Sequence, residues 1–261
     1  MPHQLPSIGR LLSRVAVGHF SWRRSWMVLA FMGAGLSSHT GWAAAPELTG
    51  VFPSGCQLGS TVKATLFGKE LKETQSLHFS VPGLHANKVN DTTFEITADE
   101  SAPAGPCELR VLTAGGLSAP RRFVITPLPQ VIESKAETAA ENPLPVTIPC
   151  VIVGQFESAA DVDDFTVEAK AGEPILLIAE ALSLDESIVP ILTILGADGR
   201  ELQHSPGHRQ EPVRVFNPPS DGRFTIRVQE RAYNKGTGSG YRLTVSSQPR
   251  SAMSLLAGGR I

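Results

Sequence analysis

Three aspartates, Asp161, Asp163 and Asp164, fall within one short stretch, with Glu157 just before them. Carboxylate oxygens at that density suit a calcium ion, which gathers about six to eight oxygen ligands. On an extended strand Asp161 and Asp163 share a side. The competing reading has Asp164 opening a strand while the others solvate a loop or pair with an arginine. It is preferred, because no twelve-residue calcium-binding loop is present. His204 and His208 flank Ser-Pro-Gly. That Pro-Gly prevents a helix from holding both rings on one face, and no third zinc ligand lies nearby, so the stretch reads as a solvated hairpin loop. The three cysteines are Cys56, Cys107 and Cys150. In an oxidising compartment Cys56 and Cys107, about 50 residues apart, are expected to form a disulfide contributing about 3–4 kcal/mol by loop entropy. Cys150 sits in an apolar run and reads as a small buried hydrophobe.

Other chemistry is sparse. The sequence contains no His-Glu-x-x-His, no Gly-x-Ser-x-Gly elbow, no Walker loop and no Rossmann glycine pattern. Gly236-Thr-Gly-Ser-Gly240 precedes a strand pattern and lacks the strand–loop–helix context of a phosphate cradle. The chain is therefore expected not to be an enzyme. A binding surface is expected at Phe216 and at Tyr233, within Arg231-Ala-Tyr-Asn-Lys-Gly236. An aromatic beside Arg, Asn and Lys suits polysaccharide or peptide contact. The alternative is that Tyr233 packs at the end of a sheet.

The elements that must carry these residues are strands. Gly (24) and Pro (20) fall between short β-branched runs, the pattern of a turn-rich all-β protein. Thr61–Phe67 alternates, placing Val62, Ala64 and Leu66 on one face, and Thr93–Ala98 places Phe94, Ile96 and Ala98 inward. Residues 108–112 and 122–125 complete a first set, spanning about 46–126 and suited to a small Ig-like sandwich. Residues 127–145 hold four prolines and several acids, and read as an extended linker or an edge wrap, with one helical turn over 133–141 as a weaker reading. A second set covers 146–247, with strands predicted at 146–153, 164–169, 174–181, 191–195, 213–216, 222–228 and 241–245. Ile175–Ala179 is apolar on both faces, as in the middle of a covered sheet. Ala197-Asp-Gly-Arg200 predicts a tight hairpin turn. The fold class is all-β: two β-sandwich domains, Ig-like and then jelly-roll-like.

Ahead of them, residues 1–43 read as a secretory signal: Arg23-Arg24, the apolar run Trp26–Leu36 and the small-residue stretch after Trp42, with cleavage after Ala43. The run is shorter than the roughly 20 residues of a span, so no stable membrane span is expected after cleavage. This leader carries four Arg and no acid, leaving 19 basic residues against 25 acidic ones and a net charge of -6 in the remainder. An acidic body offers no footprint for nucleic acid and no polybasic patch for anionic membranes. Residues 248–261 fit neither a strand set nor a domain and are expected to be disordered.

Gly154-Gln-Phe, Asp161-Val-Asp-Asp-Phe165, Ala171-Gly-Glu-Pro, Leu192–Arg200, Asp221–Val228 and Tyr241-Arg-Leu-Thr-Val245 together resemble the bacterial pre-peptidase C-terminal domain, over about 100 residues. Phe52-Pro-Ser-Gly, Val62–Gly68 and Ala102–Val111 look, more loosely, like the IPT/TIG-like modules that precede such domains in planctomycete-type exported proteins. The resemblance implies a role rather than a reaction, since the family domain has no catalytic residue. The function expected is a non-catalytic binding or adhesion module, secreted or at the cell surface or in the periplasm. Its expected partner is an extracellular polysaccharide or protein polymer, with calcium the one candidate cofactor. Two alternatives stand beside it: an accessory region that folds or targets a partner exported peptidase or hydrolase, and a structural repeat of an envelope protein.

Overall fold

Strand alternation in the first half of the chain builds a sandwich whose strand order is that of an immunoglobulin domain. The computed structural model describes residues 44–133, 142–158, 160–205, 211–233 and 240–247, within the compact unit 42–261. The first nine strands are β1 (Glu47–Phe52), β2 (Gly55–Gln57), β3 (Thr61–Lys69), β4 (Ser76–Phe79), β5 (Leu84–Asn90), β6 (Thr93–Ala98), β7 (Gly105–Thr113), β8 (Gly116–Leu117) and β9 (Arg121–Thr126). One sheet runs β1-β3-β6-β5 and the other β2-β9-β7-β4, with β8 paired to β7. These are the ABED and CFG arrangements of an immunoglobulin sandwich. The first strand is divided between the two sheets, because Pro53 interrupts it and β2 then joins β9 in parallel. Val62, Ala64, Leu66, Phe94, Ile96 and Ala98 all lie in the core between the sheets, as their alternation predicts.

The ten later strands are β10 (Gln130–Ile132), β11 (Leu144–Pro145), β12 (Cys150–Gln155), β13 (Val162–Ala169), β14 (Ile175–Glu180), β15 (Pro190–Leu195), β16 (Glu201–His204), β17 (Val213–Phe216), β18 (Gly222–Glu230) and β19 (Gly240–Ser246). Their sheets run β10-β12-β19-β14-β17 and β11-β13-β18-β15-β16. Antiparallel pairs join β12 to β19, β13 to β18, β14 to β17 and β15 to β16. The chain is thus a long doubled ribbon wound across both sheets, which is jelly-roll topology. A second apolar core fills it, including Phe156, Phe165, Phe224, Tyr241 and Leu243.

One expectation needs correction. Of the strand predicted over 146–153, only residues 150–153 are strand, the start of β12, and β11 before them lies in the other sheet. Proline at 145 and 149 lacks the N–H needed for an unbroken ladder, so the chain changes sheet there. Of the two readings of 127–145, the edge wrap fits its described strands: β10 and β11 add in parallel to β12 and β13. The turn read at 197–200 joins β15 to β16, with Gly196 N–H donating to Arg200 O and Gly199 at φ +75. Among the described residues no helix is long and apolar enough to cross a membrane. The leader at 1–43, all but Glu133 of the helical turn read at 133–141, His208, all but Gly240 of the glycine-rich loop 236–240 and the tail 248–261 lie outside the described residues.

Candidate functional site

The antiparallel register of β13 and β18 sets the geometry of the acidic stretch. Phe165 and Val167 point into the core, so Asp163 does too, while Asp164, Thr166 and Glu168 point outward. Register places Asp164 opposite Arg227 and Glu168 opposite Arg223. The Arg227 guanidinium donates twice to Asp164, Nε to Oδ1 at 2.8 Å and Nη2 to Oδ2 at 2.7 Å. Arg223 Nε donates to Glu168 Oε1 at 3.0 Å. The hydrogen bonds that Arg227 donates to Asp164 raise its guanidinium pKa, with burial acting in the other direction.

Asp163 meets different chemistry. The Tyr241 hydroxyl donates to Asp163 Oδ2 at 2.8 Å and approaches Glu133 Oε2 at 3.4 Å. Burial first, and then the Glu133 carboxylate, push the Asp163 carboxyl up to about 9. Burial, with the two carboxyl groups, likewise holds the Tyr241 hydroxyl well above its ordinary range. Gly154 makes room for the group: a Cβ there would sit 2.3 Å from both Glu133 Oε2 and the Tyr241 hydroxyl. Asp161 lies ahead of the strand, where its Oδ2 accepts the Glu157 N–H at 2.6 Å.

The three aspartates therefore do not converge on one point, as the calcium alternative would need. Neighbouring residues on a strand face opposite ways, and each carboxylate is held by a protein donor. Among the described residues no cluster of His, Cys, Asp and Glu is arranged to hold a metal ion. The Cys56–Cys107 disulfide is also corrected. Both are free, buried thiols, and β9 runs between them, since Cys56 is opposite Ile125 and Cys107 opposite Phe123. Two inter-strand spacings, roughly 9–10 Å, exceed disulfide reach. Burial raises the Cys56 thiol to about 11 and Cys107 to about 12, so neither is a ready nucleophile. Cys150 is buried in the second core, its thiol raised to about 11 by burial. Phe216 is corrected from surface to core: it is buried, with its ring edge-on to Phe224 at 5.1 Å. Tyr233 is 68% exposed in a left-handed conformation just past β18, with Arg231 exposed beside it. His204 Nδ1 hydrogen-bonds the Thr193 hydroxyl at 3.0 Å.

What the outer face of β13, β18 and β15 does create is an open groove of about 760 Å³. Asp164, Thr166, Arg223, Thr225 and Arg227 form its floor, with the 196–199 turn on one side and Pro143 on the other. Tyr233 follows the far end of β18 and is not part of it. Sequence reasoning missed Arg223, Arg227, Glu133 and Tyr241. The signal for the arginines was present: Arg223 and Arg227 alternate with Phe224 and Ile226, and so must face outward.

No protein-family model matches the chain, and no curated protein matches it in sequence. Among solved structures it is similar to the pre-peptidase C-terminal domain of a collagenase from Bacillus anthracis. That likeness has a TM-score of 0.34 at 14% identity and covers 40% of this chain and 95% of that one. The g-type lysozyme inhibitor PliG of Aeromonas hydrophila, a periplasmic protein, gives 0.33 at 17% identity over 45% of this chain and 97% of its own. SGBP-B of the mixed-linkage glucan utilization locus of Bacteroides ovatus, solved with a heptasaccharide, gives 0.24 at 8% identity over 77% and 72%. Likenesses this distant do not carry those proteins' ligands over to this chain.

Proposed function

We propose that the protein is a non-catalytic binding module that works outside the cytoplasm and holds an extended polar polymer, polysaccharide or protein. The observation that carries this reading is the groove over β13, β18 and β15. It is open rather than enclosed, and two to three strand spacings make it roughly 10–14 Å across, the reach of about three or four extended chain units. Its polar groups are set before any ligand arrives, because cross-strand partners hold Arg227 and Arg223 in place. Preorganised donors of this kind lower the ordering cost of binding. The leader expected at 1–43 supplies the export route, and the exposed Tyr233 with Arg231 offers a second, smaller contact. The test is retention of the chain on insoluble collagen, cellulose, chitin and peptidoglycan. Saturable retention on one of them is expected, and absence of retention on all four removes the reading.

A further inference from the structure

The outer face of the β12-β19-β14 surface does not face water. It meets the β7–β9 side of the first sandwich, and a cleft of about 190 Å³ remains between the two. Its walls are mostly apolar, with Val124 and Leu128 on one side and Val151, Ile178 and Leu184 on the other. Into this cleft comes Arg242 of β19, which is 2% exposed. Its Nη1 donates to Gln130 Oε1 at 3.4 Å, and it lies so close over Gly55 that a Cβ there would be 2.4 Å from Nη1. Its Nε, also buried, has no hydrogen-bond partner. Burial lowers its pKa, while Glu180, directly opposite it on β14 and lining the same cleft, and the Cys56 thiol act the other way.

A buried, unmatched guanidinium N–H costs free energy comparable to a lost charged hydrogen bond. A mostly apolar pocket with a convergent charged donor, placed between two modules, has the form of a small-ligand site; Glu180 also lines it, and burial raises the Glu180 carboxyl, favouring its neutral form. Arg122, exposed and lining the cleft, adds a second cation at its edge. An apolar cavity of about 150 Å³ holds one benzene, so this one, at about 190 Å³, admits about eight non-hydrogen atoms. We propose that the cleft binds a small monocarboxylate with an apolar body, its carboxylate accepting from Arg242 Nε and its body lying among Val124, Val151 and Ile178. Such a group exists both as a free aliphatic or aromatic acid and as the apolar C-terminal residue of a chain.

The experiment is calorimetric titration of the full chain with hexanoate, benzoate and N-acetyl-leucine, and with hexanamide and benzamide as neutral counterparts. Saturable binding of at least one acid is expected, with the matching amide weaker by roughly tenfold or more. Arg242→Lys keeps the charge but removes the Nε–H, and is expected to weaken binding by a similar factor. Arg242 is buried, so a second variant is needed. Ser183→Trp acts from an exposed position lining the cleft, and is expected to abolish binding without moving the urea midpoint. Tighter binding of N-acetyl-leucine than of hexanoate supports a chain end as ligand, and the reverse order supports a free acid. No saturable binding of any acid, equal binding of acid and amide, or unchanged binding by Ser183→Trp would overturn the proposal.

Discussion

At Asp163 the fold holds a proton that the unfolded chain gives up. The carboxyl ordinarily titrates near 3.8 and in the fold near 9, because burial and Glu133 disfavour its charge. A raised folded pKa gives stability that is complete below about 3.8 and is lost as pH rises through about 9. The groups facing it are Glu133 after β10, Tyr241 on β19 and Asp161 ahead of β13. Asp163→Asn keeps an acceptor for Tyr241 and removes the titration. Urea midpoints from pH 5 to pH 9 are expected to fall more steeply for the parent than for this variant, and parallel slopes contradict the assignment. The two outer ion pairs should differ in weight. Asp164 has a side chain 3% exposed, so Arg227→Met leaves a buried carboxylate without its bidentate partner. That should cost about 2–3 kcal/mol. Arg223 and Glu168 are 68% and 69% exposed, and Arg223→Met should change stability by under about 1 kcal/mol. Denaturant unfolding of both variants measures the contrast.

Among the elements, β10 and β11 tie down edges of the second sandwich. β10 lies along β12, Glu133 N–H donates to Val153 O, and Glu133 Oε2 accepts the Gln155 N–H at 3.0 Å. Gly154 is the position over which this crossing passes. Gly154→Ala should displace Glu133 or the Tyr241 ring and cost about 1–3 kcal/mol, read by urea denaturation. Most central strands were legible from alternation, since Val62, Ala64 and Leu66, or Phe94 and Ile96, are apolar at period two. Short edge strands such as β2, β4 and β10 were not, because three or four residues cannot establish a period. Arg242 was missed for a different reason. Alternation in β19 assigns it correctly to the outer face, but only packing against the first sandwich makes that face dry. Likewise the acidic stretch was visible, while its partners, Arg227 and Tyr241, are 63 and 78 residues away and meet it only through register.

For the molecule as a whole, polymer binding rests on the groove on the outer sheet of the second sandwich. Sequence pattern reached the two-sandwich, all-β architecture but not the groove, which arises from Pro143, the 196–199 turn and three strands converging from distant positions. Thr225 is on the groove floor, and its side chain faces outward between Arg223 and Arg227. Thr225→Trp should fill the groove while leaving the inward-facing core of β18 intact. The deciding experiment is a binding isotherm of the parent chain and of Thr225→Trp on whichever polymer retains the parent. Saturable parent binding is expected to weaken by roughly tenfold or more in the variant, with equal thermal midpoints. Equal isotherms for the two proteins would rule the groove out and place the contact surface elsewhere.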